Sequence, residues 1–284
     1  MAGPLRAEAR NLWWFRANVP CLDACPVKTD AGRYVQLIAE GRFAEAYRVA
    51  RAPNPIASIC GRTCGAPCED ACRRGKIDAP VAIRSLKRFV TENYGPESLS
   101  ATTLAEVLAG GMGGGSTTPG HGETMLRHRA PGSTGRRVAV IGAGPAGLAC
   151  AHDLALLGHG VTIFESMPLP GGMMRYGIPS YRLPREVIDH QVAEIEGLGV
   201  EIRYGRPLDL TFGLAELRAE GYDAVFLGIG AGRGRGLRLE GGELDGVMKA
   251  IDYLLNINRG YRVPVGKRVV VVGGGLVALD AARI

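Results

Sequence analysis

The strongest constraint on this chain is a glycine-rich turn inside the stretch RVAVIGAGPAGLACAHDLALLGHGVTIFE, residues 137–165. The turn follows a short apolar run that predicts a buried strand, and its G-x-G-x-x-G spacing is made by Gly142, Gly144 and Gly147. The first glycine permits a tight turn, the second lets the backbone approach a pyrophosphate, and the third lets the next helix pack closely on the strand. The stretch therefore predicts a dinucleotide-binding turn in a doubly wound α/β sheet.

The residues after this turn complete the dinucleotide-binding unit. Pro145 and Ala146 begin a predicted helix whose positive N-terminal end would face the phosphates, and proline is well tolerated at the first helical position. A second predicted strand at 161–164 ends in Glu165, which is placed to accept a hydrogen bond from a ribose hydroxyl. Because an acid in this place disfavours a 2′-phosphate, FAD or NAD is expected rather than NADP.

Two further segments of small residues are candidates for contact with the same cofactor. The Gly-Gly turn formed by Gly171 and Gly172, followed by Met173, would let the backbone approach a flavin, although a plain loop is the alternative. Downstream, 222–231 predicts a buried strand that ends in Gly230 and Ala231, which are small enough to admit a cofactor.

A second strand–turn–helix pattern begins at Lys267, and its small residues are Gly273, Gly275 and Ala278. Two such patterns suggest two nucleotide-binding domains, one nested within the other. A nested domain needs about 100–150 residues, whereas only 19 residues run from Gly266 to Ile284. We therefore expect that the chain is a fragment or that a partner supplies the remainder of this domain.

Six of the seven cysteines lie near the beginning of the chain in two groups. PCLDACP contains Cys21 and Cys25, and CGRTCGAPCEDAC contains Cys60, Cys64, Cys68 and Cys72. Two predicted helices, 31–40 and 42–52, would fold one group back onto the other. Gly61, Gly65 and Pro67 are expected to keep the second group out of regular helix, so that its thiols converge from a loop.

Three kinds of chemistry compete for these cysteines. Disulfides are disfavoured because they need an oxidising compartment, and the first twenty residues contain no apolar core for an export signal. Structural zinc stays open, although zinc pairs are mostly Cys-x-x-Cys and every gap within these groups is three residues. Iron–sulfur ligation is favoured, because Cys-x₃-Cys-Pro is the end of the bacterial ferredoxin motif.

Composition divides the chain into four predicted domains or segments. These are a helical cysteine-containing domain over 1–94, a flexible Gly/Ser/Thr/Pro-rich linker over 95–135, a Rossmann-like domain over 136–265 and the start of a second nucleotide-binding domain over 266–284. No stretch approaches the ~18 apolar residues of a membrane span, so a cytoplasmic protein without membrane contact is expected. The net charge of +6 comes from scattered Arg and Lys, so nucleic-acid binding is not expected.

Taken together, these motifs resemble the family of the small (beta) subunit of NADPH-dependent glutamate synthase. Relatives of that family include the N-terminal part of dihydropyrimidine dehydrogenase and the large subunit of the bifurcating NADH-dependent ferredoxin:NADP oxidoreductase. The resemblance covers nearly the whole chain and is carried by CxxxCP, CGRTCGAPCEDACRRG, IGAGPAGLACAHDLALLGHGVTIFE, PGGMMRYGIPSYRLP, YDAVFLGIGA and VVVVGGGLVALDAAR. It implies FAD at the first glycine fingerprint, the turn at Gly142, Gly144 and Gly147, and NAD(P)H at the second, the turn at Gly273, Gly275 and Ala278. It also implies [4Fe–4S] clusters on the cysteines.

The resemblance also implies a function. Reducing equivalents would pass from NAD(P)H through the flavin, then singly to an iron–sulfur cluster and on to a partner subunit, without a side-chain acid or base. Two rival functions are a non-catalytic electron-transfer or docking module that cannot bind nicotinamide, and a zinc-stabilised interaction domain fused to a nucleotide-binding sensor.

The resemblance implies ligands as well, and here the sequence departs from the family. Cys25, Cys64 and Cys68 would share one cluster with a Gln or Glu, which the stretch 85–89 lacks. Cys21 and Cys72 would belong to the other cluster, but no cysteine precedes Cys21 to complete it. We therefore expect at least one cluster on the six thiols.

Overall fold

The structure is a computed structural model that describes residues 18–98, 132–236 and 240–284. The chain divides into two compact units, Met1–Leu126 and Arg127–Ile284. The predicted linker 95–135 falls mostly at 99–131, outside the described residues, and the four domain boundaries stay predictions. In the described parts of the chain, no helix has both the length and the apolar character that crossing a bilayer requires.

The first unit consists of short helices. They are α1 (Pro20–Ala24), α2 (Ala31–Ala39), α3 (Phe43–Arg51), α4 (Ala57–Thr63), α5 (Pro67–Asp70), a 3₁₀ turn (Arg73–Lys76) and α6 (Ile83–Tyr94). The carboxylate of Asp30 caps α2 by accepting a hydrogen bond from the backbone N–H of Arg33 at 3.0 Å. Gly41, at φ +74°, makes the turn between α2 and α3. The two helices predicted at 31–40 and 42–52 are confirmed.

The core of the first unit lies between α2, α3 and α6. Its largest fully buried side chains include Tyr34, Tyr47 and Val90. The Tyr34 hydroxyl donates a hydrogen bond to the carbonyl oxygen of Ile83 at 3.1 Å, which joins α2 to the start of α6. Partly buried Cys21 and Cys68 pack against this core, so both cysteine groups lie at its edge.

The second cysteine group is more helical than its glycines and proline indicate. Cys60 and Gly61 lie within α4 and Cys68 lies within α5, so the expectation of an irregular loop is wrong for these residues. Gly61 is a packing residue, because a Cβ at this position would lie 2.9 Å from the Cα of Arg88 on α6. Pro67 begins α5, where its missing N–H has no helical partner to lose.

The second unit contains a four-stranded parallel sheet in the order β3–β2–β1–β4. The strands are β1 (Arg137–Ile141), β2 (Gly160–Glu165), β3 (Glu201–Tyr204) and β4 (Ala224–Leu227). The helices are α7 (Pro145–Leu156), α8 (Met173–Tyr176), α9 (Arg185–Glu196), α10 (Leu214–Ala219), α11 (Ala250–Asn258) and α12 (Leu276–Arg283). This strand order is typical of a doubly wound nucleotide-binding sheet, and the predicted α/β fold class is confirmed.

Burial differs sharply across this sheet. In β1 and β2 every residue after the first is buried. The ring centroid of Phe164 lies 5.0 Å from that of Phe212 and 5.7 Å from that of Tyr222. The stretch 222–231 is not the buried strand expected, because only its central part forms β4 and Leu227 is 56% exposed. Among the described strands β4 pairs with β1 alone, so it is an edge strand with less cover than the centre.

The second strand–turn–helix pattern is only half formed. Helix α12 is present, and Gly273 makes the turn before it at φ +127°. Residues 267–272 pair with none of the described strands, and Val270 is 88% exposed. A strand needs a neighbour to satisfy its backbone N–H and C=O groups, which explains why this predicted strand is absent here.

Candidate cofactor sites

The first fingerprint lies where β1 ends and α7 begins, at the carboxyl edge of the sheet. Gly142 follows β1 at φ +100°, and a Cβ there would lie 2.5 Å from the carbonyl oxygen of Gly228. At Gly147 a Cβ would overlap the carbonyl oxygen of Gly142, so this glycine lets α7 pack against the turn. At both positions a side chain would clash with a backbone carbonyl oxygen of the protein itself, so glycine is required whether or not a cofactor binds.

Gly144 differs from its two neighbours in the motif. Its φ is −78°, which any residue can adopt, and a Cβ there would approach nothing closer than the Cα of Gly172 at 3.9 Å. Space for a side chain therefore exists in the protein, yet the backbone stands bare at the N-terminal end of α7, which Pro145 and Ala146 begin. A bare backbone at a helix N-terminus is the cradle that a pyrophosphate needs, so these residues fit a dinucleotide.

Glu165 ends β2 and is 5% exposed. One carboxylate oxygen accepts a hydrogen bond from the backbone N–H of Ala143 at 2.6 Å, and the other accepts from the backbone N–H of Met167 at 2.8 Å. These two bonds fix the carboxylate beside the fingerprint turn. Because a carboxylate offers about four acceptor sites, it retains capacity for a ribose hydroxyl.

The Gly-Gly turn lies directly against the fingerprint turn. Gly171, at φ +116°, donates a backbone hydrogen bond to the carbonyl oxygen of Ala143 at 2.8 Å. A Cβ at Gly172 would lie 2.9 Å from the Cα of Gly144. The structure therefore brings Gly171, Gly172 and the following Met173, the first residue of α8, into the same region as the first fingerprint.

Arg175 holds this turn in place and was not found by sequence analysis. It is 5% exposed, its Nε donates to the carbonyl oxygen of Pro170 at 2.6 Å, and its guanidinium pairs with Asp189 on α9. The sequence offers no signal for this role, because it depends on where α9 packs.

The small residues after β4 separate into two groups. Gly228 donates its backbone N–H to the carbonyl oxygen of Ile141 at 2.8 Å, which places it directly beside Gly142. The predicted residues Gly230 and Ala231 are exposed and follow further along, with nothing within 4 Å of a Cβ at Gly230. Gly228 is thus a site residue that sequence analysis missed, although it belongs to the same small-residue run.

The second fingerprint is anchored to the loop after α8. Gly273, Gly275 and Ala278 stand at the turn and first part of α12, and a Cβ at Gly273 would lie 3.5 Å from that of Ala278. Asp280 on α12 is 4% exposed, accepts a hydrogen bond from the Tyr181 hydroxyl at 2.9 Å and pairs with Arg182. This network, which the sequence did not reveal, joins the second fingerprint to the segment following the Gly-Gly turn.

The six cysteines of the first unit are all reduced and partly buried. Burial raises the pKa of the Cys68 thiol to about 11 and also raises the pKa of Cys60 and Cys21. The pKa of Cys72 is shifted in the opposite direction. Hydrogen bonds from backbone N–H groups, of which that of Val81 has the largest effect, hold it below the usual value. The Cys64 sulfur accepts a hydrogen bond from the backbone N–H of Ala66 at 3.3 Å. Such N–H donors suit the sulfurs of an iron–sulfur site.

By their electrostatic interactions the thiols form a group of four and a pair, and the two sets adjoin, because the Tyr34 hydroxyl interacts with Cys21 as well as with Cys25 and Cys68. Cys68 interacts electrostatically with Cys25 and Cys64, and Cys60 interacts with the same two residues. Cys21 interacts with Cys72. Within residues 18–98, 132–236 and 240–284, no three Cys, His, Asp or Glu side chains are arranged to hold one metal ion. The donor chemistry of the four-thiol group fits a [4Fe–4S] cluster, which binds four thiolates on separate iron atoms.

Two family models match the chain. Residues 15–98 match the model for dihydropyrimidine dehydrogenase domain II, 4Fe-4S cluster. Residues 136–284 match the model for pyridine nucleotide-disulphide oxidoreductase. The first match contains both cysteine groups, which favours iron–sulfur ligation over zinc, and the second contains both glycine fingerprints.

Relatives extend across nearly the whole chain. The beta subunit of NADP(+)-dependent formate dehydrogenase from Moorella thermoacetica is 39% identical over 270 residues, covering 94% of this chain and 37% of the relative. The beta subunit of NADPH-Fe(3+) oxidoreductase from Geobacter sulfurreducens is 36% identical over 272 residues, with coverages of 94% and 37%. The PreT subunit of NAD-dependent dihydropyrimidine dehydrogenase from Salmonella typhimurium is 34% identical over 269 residues, with coverages of 93% and 58%.

The chain thus spans little more than a third of the length of the first two relatives. The pyridine nucleotide-disulphide oxidoreductase model matches more than half of the chain. The sequence predicted three cofactors, and its family confirms them: FAD, a [4Fe–4S] cluster and NAD(P)H. With both models on one polypeptide, this chain belongs to the family of FAD- and [4Fe–4S]-dependent NAD(P)H oxidoreductases.

Proposed function

We propose that this chain takes reducing equivalents from NAD(P)H and passes them, by way of FAD and a [4Fe–4S] cluster, to an electron-accepting partner subunit. The observation that carries the proposal is that one polypeptide matches both a [4Fe–4S] domain and a nucleotide-dependent oxidoreductase domain. When bound, FAD supplies the conversion between hydride chemistry and single-electron transfer. The protein's own part is to bind, orient and shield these groups.

At the nucleotide end, the backbone does most of the binding. The pyrophosphate would rest on the bare backbone at the start of α7, on the residues Gly142, Gly144, Pro145, Ala146 and Gly147. Glu165, already fixed by two backbone donors, would accept a ribose hydroxyl. The flavin would lie along Gly171, Gly172, Met173, Gly230 and Ala231, and the NAD(P)H site would begin at Gly273, Gly275 and Ala278.

At the cysteine end, thiolates would hold the cluster. The electrostatic grouping supports Cys25, Cys60, Cys64 and Cys68 as ligands of one [4Fe–4S] cluster. Cys60 would then provide the fourth ligand in place of the acid or amide used by the resembled family. Cys21 and Cys72 form the remaining pair, and a second cluster there would need further ligands.

The proposal is tested with the chain purified and reconstituted without oxygen. NADPH or NADH should bleach the flavin absorbance, and subsequent oxidation by ferricyanide should restore it. Cys64→Ser should abolish the low-temperature EPR signal of the reduced cluster while leaving flavin bleaching intact. The matched control Cys150→Ser, on α7 of the other unit, should leave that signal unchanged. A wild-type chain that binds neither flavin nor iron would refute the proposal.

A second function is favoured by one feature of the second unit. Residues 267–272 form no strand with the described strands, and several of their valines are exposed. A chain that does not bind nicotinamide would act as an electron-transfer or docking module that is reduced by its partner. Flavin that stays oxidised with both NADPH and NADH, yet is reduced by dithionite, would favour this function.

The identity of the partner is a further part of the proposal. The reported relatives are named for formate dehydrogenase, Fe(3+) reduction and dihydropyrimidine dehydrogenase, so they do not single out one acceptor. A glutamate synthase large subunit is the acceptor suggested by the resemblance, and glutamate formation on mixing it with this chain and NADPH tests that choice. A cytoplasmic location is proposed because thiolate ligands need a reducing compartment.

A further inference from the structure

Lys87 is a buried cation to which the proposed electron path assigns no part. It lies on α6 and is 8% exposed, and its Nζ is 3.5 Å from the hydroxyl of Thr29, which is also buried. The same Nζ is 5.8 Å from the ring centroid of Tyr34. Among the described residues no carboxylate pairs with Lys87, and its side chain contacts this hydroxyl and this aromatic ring.

The other electrostatic neighbours of Lys87 are thiols. Its positive charge favours the thiolate forms of Cys60 and Cys68, against the stronger opposing effect of burial. Those two thiols interact in turn with Cys25 and Cys64. The hydroxyl of Tyr34, whose ring lies under the ammonium, also interacts electrostatically with Cys68, Cys25, Cys21 and Glu69. The geometry agrees, because Arg84, one turn before Lys87 on α6, donates a hydrogen bond to the carbonyl oxygen of Cys64 at 2.7 Å, and Cys68 packs against the core that contains Tyr34.

A buried ammonium is unfavourable unless a negative charge compensates it. Neutral thiols supply no such charge. Four thiolates bound to a [4Fe–4S] cluster give the assembly a net negative charge, which grows by one when a single electron enters. We propose that Lys87 compensates the charge of the cluster held by this group of cysteines and thereby raises its reduction potential.

This inference rests on the proposed function, because it requires a cluster on these thiols. Lys87 forms no bond and moves no proton in the step; one electron enters the cluster, and the fixed ammonium stabilises the added charge. Lys87 is a charge-compensating residue and not a catalytic one. Its effect is therefore sought in a redox equilibrium and not in a turnover rate.

The test is an anaerobic redox titration of the reconstituted chain, followed by the EPR signal of the reduced cluster. In Lys87→Met, at the potential where half of the wild-type cluster is reduced, the ratio of reduced to oxidised cluster should fall by about tenfold or more. Lys87→Arg keeps the charge and should titrate close to wild type. Arg88→Met removes a charge from the neighbouring exposed position on α6 and should also titrate close to wild type.

Each outcome decides one question. Lys87→Met with full iron content and an unchanged titration would overturn the inference. If Lys87→Met does not retain iron, Lys87→Leu, which likewise offers the cluster no amide or carboxylate ligand, is titrated in its place. Loss of iron from both neutral variants but not from Lys87→Arg would support charge compensation, and loss from all three would overturn it. Absence of a cluster from the wild-type chain would refute the proposed function itself.

Discussion

At the scale of single residues, the glycines of the first fingerprint do two different jobs. Gly147 excludes a side chain because α7 packs against the turn, whereas Gly144 has room for a methyl group. Gly147→Ala should therefore lower the free energy of unfolding by about 1–3 kcal/mol, the usual effect of overpacking. Gly144→Ala should leave the unfolding of the FAD-free chain unchanged but weaken FAD binding about tenfold or more, ~1.4 kcal/mol. Urea unfolding and fluorescence titration with FAD measure the two effects.

The reverse pattern would contradict this assignment. If Gly144→Ala unfolds more easily than wild type and binds FAD equally well, its bare backbone does not face the pyrophosphate.

Glu165 is the second residue whose role can be isolated. Its carboxylate accepts from two backbone N–H groups, and an amide in its place can accept from only one of them. Glu165→Gln should therefore lower the free energy of unfolding by about 1–3 kcal/mol even without FAD, because one buried N–H loses its partner. Denaturation in the absence of nucleotide measures this directly. An unchanged free energy of unfolding would mean that losing one of these two backbone hydrogen bonds does not destabilise the fold.

At the scale of elements, α12 depends on one buried acid. Asp280 bonds to Tyr181 and Arg182 in the loop after α8, so Asp280→Asn should loosen the helix. Backbone amides over 279–284 should exchange with deuterium about tenfold faster, which corresponds to ~1.4 kcal/mol of local stability. Asp252→Asn, at an exposed position on α11, is the matched control and should leave these amides as protected as in wild type. Equal exchange in both variants would show that Asp280 does not anchor α12.

The edge strand β4 should respond to acid. Hydrogen bonds from the backbone N–H of Arg137 and from Arg136 hold the pKa of Asp223 below its usual value. A carboxyl whose pKa is lower in the folded state stabilises the fold at neutral pH, and this stabilisation disappears as the pH falls through that lowered value. Wild type should therefore be more stable than Asp223→Asn at pH 7, and the difference should shrink progressively below about pH 4. A difference that stays constant from pH 7 to pH 2.5 in urea unfolding would contradict this.

The elements also show what sequence can and cannot predict. The first strand–turn–helix was predictable because each of its parts is specified locally, by an apolar run, three spaced glycines and a proline at the helix start. The helix around Cys60 was not predictable, because Gly61 does not break the helix but allows close packing against Arg88. Two features could not be predicted because they depend on strand order: the exposure of β4 and the position of Gly228 beside the fingerprint turn. The buried partners of Arg175 and Asp280 could not be predicted because they depend on how the helices pack.

At the scale of the whole molecule, we infer that one chain binds the cofactors at both ends of an electron path. The two units differ in how they bind. The nucleotide unit offers bare backbone and one fixed carboxylate, whereas the cysteine unit offers thiols, backbone donors and the buried charge of Lys87. Both sets of residues fit their cofactors, and we expect the cofactors themselves to carry the chemistry.

The most direct test is the cofactor content of the full chain after anaerobic reconstitution and desalting. We expect about one FAD and about four iron atoms with matching sulfide per chain, and a reduced-cluster EPR signal after addition of dithionite. Stoichiometric zinc without iron, or a colourless protein that releases no flavin on denaturation, would contradict the claim.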